Sequence, residues 1–256
     1  MILLHRLTPF AVAAALAGGF TLLILPPAHI AWAVALLFVV TPLLLGRLLL
    51  FDVRRPAFWV FLGVPLFCVA AAFFFFLFLE SVTAKWILAT TVVVVNGLYA
   101  ENLFTFYHLP HAYQEYSLEY LSLVIAVISS FFFASGGYAS SMFLQEFAPI
   151  WVSAIVVFFA TLFLTLAMFW VSKVGFETGQ RYAFAAAVLM TELYAVLSFL
   201  PTSFVTNAAA FATLFYCYLG LMRAHVLERL SAKVVRRYAY SGVGLLLVIF
   251  VSAQWL

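Results

Sequence analysis

Apolar residues in this chain come in long unbroken runs, without the alternation of a half-buried strand or the one-sided stripe of a helix on a soluble core. Cut at charges, prolines and polar clusters, the runs cover residues 9–25, 29–50, 57–79, 86–107, 117–137, 150–171, 181–200, 202–222 and 238–256. Each is close to the roughly 20 apolar residues that carry a helix across the hydrocarbon of a bilayer. Lipid offers the backbone no hydrogen-bond partners, so the spans are predicted as helices; the two-residue alternation of a membrane barrel is absent. The predicted fold is all-α, a single polytopic transmembrane helix bundle over residues 1–256 with about nine spans. Only Pro26 and Pro27 divide the first pair, and only Pro201 divides the seventh from the eighth. Tight turns are predicted there, and a count of eight is the alternative.

Composition agrees with lipid as the solvent: the chain is 68% hydrophobic and 8% charged, and a soluble domain keeps a heavily polar exterior. The few charges are not scattered. With the N-terminus inside, all 12 Lys and Arg residues except Lys85 fall on inner connections. That bias predicts a protein of the cell membrane with a cytoplasmic N-terminus and, for nine spans, an outer C-terminus. Trp32, Trp59, Trp86, Trp151, Trp170 and Trp255 all fall near predicted span ends, where indole rings favour the headgroups. A net charge of +3 spread over short juxtamembrane loops argues against nucleic acid as a partner.

One stretch breaks the apolar pattern. Between the fourth and fifth runs Asn96, Tyr99, Glu101, Asn102, His108, His111, Glu115 and Glu119 lie within a short segment that is also rich in tyrosine. Glu101, Glu119 and, in the seventh run, Glu192 are predicted in or beside the inner half of the membrane. A carboxylate there is costly and faces a partner or a water-filled path, unless it reaches the interface or is protonated and hydrogen-bonded. These three, with Asn96, Tyr99, Asn102 and Tyr194, form the candidate solute or ion site. His108 and His111, with Glu115, form a weaker candidate metal set, because Pro110 between the two imidazoles keeps them off a common helix face. Leu-Tyr-Ala occurs at 98–100 and again at 193–195, an echo that an inverted repeat or chance in so apolar a chain would produce.

The stretch 223–237 reads as a short amphipathic helix whose Arg223, Arg229, Lys233, Arg236 and Arg237 suit anionic headgroups or a docked partner. Enzyme signatures fail one by one. A membrane aspartic protease needs two aspartates and only Asp52 exists; the Ser135 run and the inner histidines are predicted on opposite sides; no Gly-rich nucleotide loop is present. Cys68 and Cys217 sit at different predicted depths, which argues against a disulfide. No cofactor is identified. The readings left are a small transport-related protein or membrane subunit, an accessory scaffold docking a partner through its cytoplasmic loops, and, third, a metal-dependent enzyme at His108 and His111.

Overall fold

The structure is a computed structural model, which describes residues 6–25, 29–146 and 149–253. It contains nine long helices among those residues: α1 (Thr8–Ile24), α2 (Ile30–Leu48), α3 (Pro56–Phe76), α4 (Val82–His108), α5 (Ser117–Phe143), α6 (Ile150–Val171), α7 (Phe176–Leu197), α8 (Phe204–Val226) and α9 (Ala232–Ser252). No β-strand occurs among the described residues. Seven of the helices are both long and apolar enough to cross a membrane. Of the other two, α1 has 17 residues, and α7 carries Glu177, Arg181 and Glu192. The expected turn at Pro26 and Pro27, and the chain end at Trp255 and Leu256, lie outside the described residues.

Helix ends follow local chemistry. Ser81, Ser203 and Ser231 accept hydrogen bonds from the backbone N–H groups of Ala84, Thr206 and Val234, so each caps the first turn of α4, α8 or α9. Pro56 sits in the first turn of α3, where its missing N–H costs nothing. Inside α2 the ladder widens over Leu36–Val40 into a π-segment just ahead of Pro42. Proline cannot donate and its ring crowds the preceding turn, so the backbone loosens there. Thr41 repairs the break by donating both its N–H and its hydroxyl to the Leu36 carbonyl, the latter at 2.9 Å.

Two boundaries depart from the sequence-based expectation. Helix α5 runs on to Phe143, past the Gly136–Gly137 pair where its run was ended, because glycine is tolerated in a helix whose backbone is sheltered from water. The 223–237 stretch is not a helix of its own. α8 continues to Val226, Glu228 adopts a left-handed φ of 55°, and the Arg229 N–H closes back on the Ala224 carbonyl at 2.8 Å. That closure ends a helix, and α9 restarts at Ala232.

The chain divides into two compact units within α5, residues 1–125 and 126–256. In the first, α1 packs on α2 and α4, burying Val12, Leu16 and Phe20. Gly19 permits the close approach, since a Cβ there would lie 2.7 Å from Leu37. In the second unit α6 and α7 form the main pair, and α7 buries Gly179, Ala183, Ala186, Ala187, Met190 and Tyr194 at helical spacing. The first unit pairs its first and fourth helices most closely, and the second pairs consecutive ones. Trp32, Trp59, Trp86 and Trp151 are exposed within a turn or so of a helix start.

Candidate functional site

The densest polar construction in the second unit grows from the sequence Ser135 to Ser141 in α5. Gly137 has no side chain, and a Cβ there would lie 2.8 Å from the Tyr194 hydroxyl. The Tyr194 ring can therefore lie against α5 and stack on Tyr138, with centroids 4.2 Å apart and planes 15° from parallel. Phe211 of α8 meets Tyr194 edge-on at 6.1 Å. Tyr138 donates its hydroxyl proton to the Tyr194 carbonyl at 2.9 Å, which ties α5 to the last turn of α7. Ser141 donates to the Gly137 carbonyl at 3.0 Å and its oxygen lies 3.1 Å from that of Ser153 on α6. The Tyr194 hydroxyl is buried beside Ser141 and Ser153 without an ordinary hydrogen bond of its own.

Beyond this pair a cavity of about 370 Å³ opens among the ends of α5, α6, α7 and α8. Its polar lining is Tyr138, Ser141, Gln145, Ser198, Thr202 and Asn207, and among the described residues no acidic, basic or histidine side chain contributes. The proton inventory decides what it can bind. Tyr138 and Ser141 spend theirs as above, Ser198 spends its own on the Ala195 carbonyl at 2.6 Å, and Thr202 donates to Asn207 Oδ1 at 2.6 Å. The hydroxyl oxygens left facing the cavity are therefore acceptors. Donors come from carboxamides: the Asn207 amide hydrogens have no partner among the described residues, and Gln145 is exposed at the rim.

Tyr194 is fully buried in the cluster just described. Glu192, two residues away, is exposed on the other side of α7, and since that helix spans Phe176–Leu197 it lies closer to the helix's end than to its middle. In the first unit Asn96 and Tyr99 share the buried face of α4. Asn96 donates to the Val92 carbonyl at 2.9 Å while its Oδ1 stays unpaired, and the Tyr99 hydroxyl has Ser122 beside it without an ordinary hydrogen bond. Asn102 is half-buried and bonded back to the Leu98 carbonyl, whereas Glu101 faces outward. Glu119 is half-buried in the first turn of α5, where a carboxylate suits the helix dipole.

His108 stacks on Phe104 at 5.3 Å in the last turn of α4, and His111 and Glu115 are exposed in the following connection. Among the described residues no three His, Cys, Asp or Glu side chains gather closely enough to hold a metal ion.

Against known proteins, the chain matches no family model, no curated protein and no solved structure. The cavity residues Ser141, Ser198, Thr202 and Asn207 are not among the sequence-derived candidates, which cluster around carboxylates and histidines. A signal existed: seven residues from Ser135 to Ser141 supply three serines, a tyrosine and two glycines within one apolar span.

Proposed function

We propose that this is a small transport-related membrane protein, or the membrane subunit of a transporter, whose second unit binds an uncharged, hydroxyl-rich molecule. The observation behind this reading is the cavity's proton inventory: acceptor hydroxyls, carboxamide donors and no charge. A polyol or sugar-like group offers hydroxyl protons to the first and lone pairs to the second. An anion would meet mainly lone pairs, and a cation would find no compensating carboxylate.

Melting of the protein in nanodiscs tests this against a panel of glycerol, inositol, galactose, galactose 6-phosphate and choline. A neutral polyol is expected to raise the melting temperature while the charged probes do not. The paired substitution Asn207→Leu with Thr202→Val is expected to weaken polyol binding by roughly tenfold or more, since one lost hydrogen bond in a dry site is worth about 1–3 kcal/mol. Changing both partners together leaves no orphaned group, so the fold is expected to survive. Stabilisation by the charged probes alone would overturn the proposal. Binding is also expected to stay level from pH 5 to pH 8 (roughly the window in which histidine titrates), because none of the described lining residues is acidic, basic or histidine.

Orientation in a cell membrane belongs to the same reading. In the second unit Lys173, Arg181 and the basic residues from Arg223 to Arg237 lie at the end opposite the cavity. The positive-inside rule then puts the cavity on the outer side and the N-terminus in the cytoplasm. A reporter fused after Leu256 is expected to be active only outside; activity in the cytoplasm would reverse the assignment.

A second reading, an accessory subunit that docks a partner, draws on α9. That helix buries only Gly242 and leaves Val235, Val243, Leu245, Leu247, Val248 and Val251 exposed, with Lys233, Arg236 and Arg237 in its first turns and Arg223 and Arg229 just before it. Glu192 on the exposed side of α7 would suit the same role.

A further inference from the structure

We propose that the occupant of the second unit's cavity is carried by a lipid: an uncharged, hydroxyl-bearing headgroup that enters sideways from the bilayer while its chains stay outside. The inference rests on the reading of the cavity as a polyol site and goes one step further, from the chemistry of the group to its source.

Four observations lead there. First, the cavity lies at helix ends, the depth of headgroups: α5 and α7 finish there, and α6 and α8 begin. Trp151 at the start of α6 is 63% exposed beside it, as expected of an indole at the interface. Second, apart from Gln145 the rim is apolar and faces outward. Met142, Ile150 and Phe199 line the opening, and Phe199 is 86% exposed, which suits an acyl chain better than water. Third, about 370 Å³ is near the lower bound of ordinary ligand pockets, so it accommodates a glycerol or single sugar ring and excludes the chains attached to it. Fourth, every Lys and Arg of the second unit lies toward the opposite end, so a phosphate in the cavity would have neither a counterion nor enough donors. Phospholipids are disfavoured on that ground, and neutral glycolipids and acylglycerols remain.

Three probes separate the sources: monogalactosyl diacylglycerol, phosphatidylglycerol and free galactose, each presented to the protein in phosphatidylcholine nanodiscs and read by native mass spectrometry. The expected result is retention of the galactolipid at least tenfold above phosphatidylglycerol. That excess should be lost in the Asn207→Leu, Thr202→Val pair and kept in a control changed about two turns away from the cavity along α7, Val188→Leu. A photoreactive phenylalanine analogue at position 199 should crosslink to the acyl chain of the retained lipid. Equal retention of phosphatidylglycerol, or galactolipid retention that ignores the paired substitution, would overturn the inference. Binding of free galactose without galactolipid retention would also overturn it, yet would leave the polyol site standing. If neither galactose nor galactolipid binds while the charged probes do, both fall together.

Discussion

Tyr194→Ala is expected to destabilise the protein by about 2–4 kcal/mol, read as a fall in midpoint during detergent or thermal unfolding. The ring is fully buried, stacked on Tyr138 at 4.2 Å and edge-on to Phe211 at 6.1 Å, so its removal empties a space that three helices share. In a lipid-embedded core the loss is mainly one of van der Waals contact, since lipid tails are as apolar as the protein interior; the cost should therefore fall somewhat below the figure for a soluble core. Tyr194→Phe is the informative companion. It keeps both ring contacts and removes only a hydroxyl that lacks an ordinary hydrogen bond, so the expected change is within about 1 kcal/mol of zero. Should the Phe variant lose as much as the Ala variant, the hydroxyl would have to be bonded to Ser141 or Ser153, and the stacking account would be wrong.

The same tyrosine links packing to the proposed binding. Tyr138 reaches the Tyr194 carbonyl from α5, and both rings back the wall from which Ser141 and Ser198 present their oxygens. Tyr194→Ala is thus expected to loosen the cavity as well as the fold, whereas the Asn207 and Thr202 pair acts on the cavity alone. Comparing the two separates loss of binding through loss of structure from loss of binding through loss of a donor.

The number and placing of the helices along the chain were legible in the sequence; facing was not. All nine helices stand where the apolar runs put them, because the cost of an unpaired backbone group in lipid leaves no other structure for such a run. The ends moved where a residue reads as a breaker in water but not in a membrane, as at Gly137 in α5. They also moved where a charged side chain at a helix end does not stop the helix: α4 begins at Val82, ahead of Lys85, and α7 at Phe176, ahead of Arg181. The left-handed turn at Glu228 left no mark, since nothing in Leu-Glu-Arg-Leu announces it.

Facing depends on which side of an almost uniformly apolar helix meets a neighbour, and such a helix has no amphipathic stripe to read. Glu192 and Tyr194 show the consequence. They are two residues apart, equally conspicuous in the sequence, and one is exposed while the other is fully buried. In the first unit Tyr99 and Glu101 divide in the same way. The cavity residues were harder still, because Asn207 and Thr202 acquire meaning only through the bond between them.

Gly220→Leu should release α9 from the second unit. A Cβ at Gly220 would overlap the ring of Tyr238, and the next contact up the same seam is as tight, with a Cβ at Gly242 falling 2.7 Å from Cys217 Sγ. Since Gly242 is the only residue of α9 that is buried, this seam with α8 is its principal attachment, and there is little elsewhere to hold the helix when the seam is forced apart. Overpacking of this kind costs about 1–3 kcal/mol when the neighbours can shift; here the shift is the departure of α9 itself. Cys217 supplies the readout. It is half-buried against α9 and Cys68 is buried in α3, so a membrane-permeant maleimide should label the Gly220→Leu variant several times faster at Cys217 and no faster at Cys68. Adding Tyr238→Ala removes the clashing ring and is expected to restore slow labelling, which a general loss of fold would not permit. If labelling at Cys217 is unchanged by Gly220→Leu, α9 is held by contacts other than this seam, and the accessory-subunit reading loses the exposed helix on which it depends.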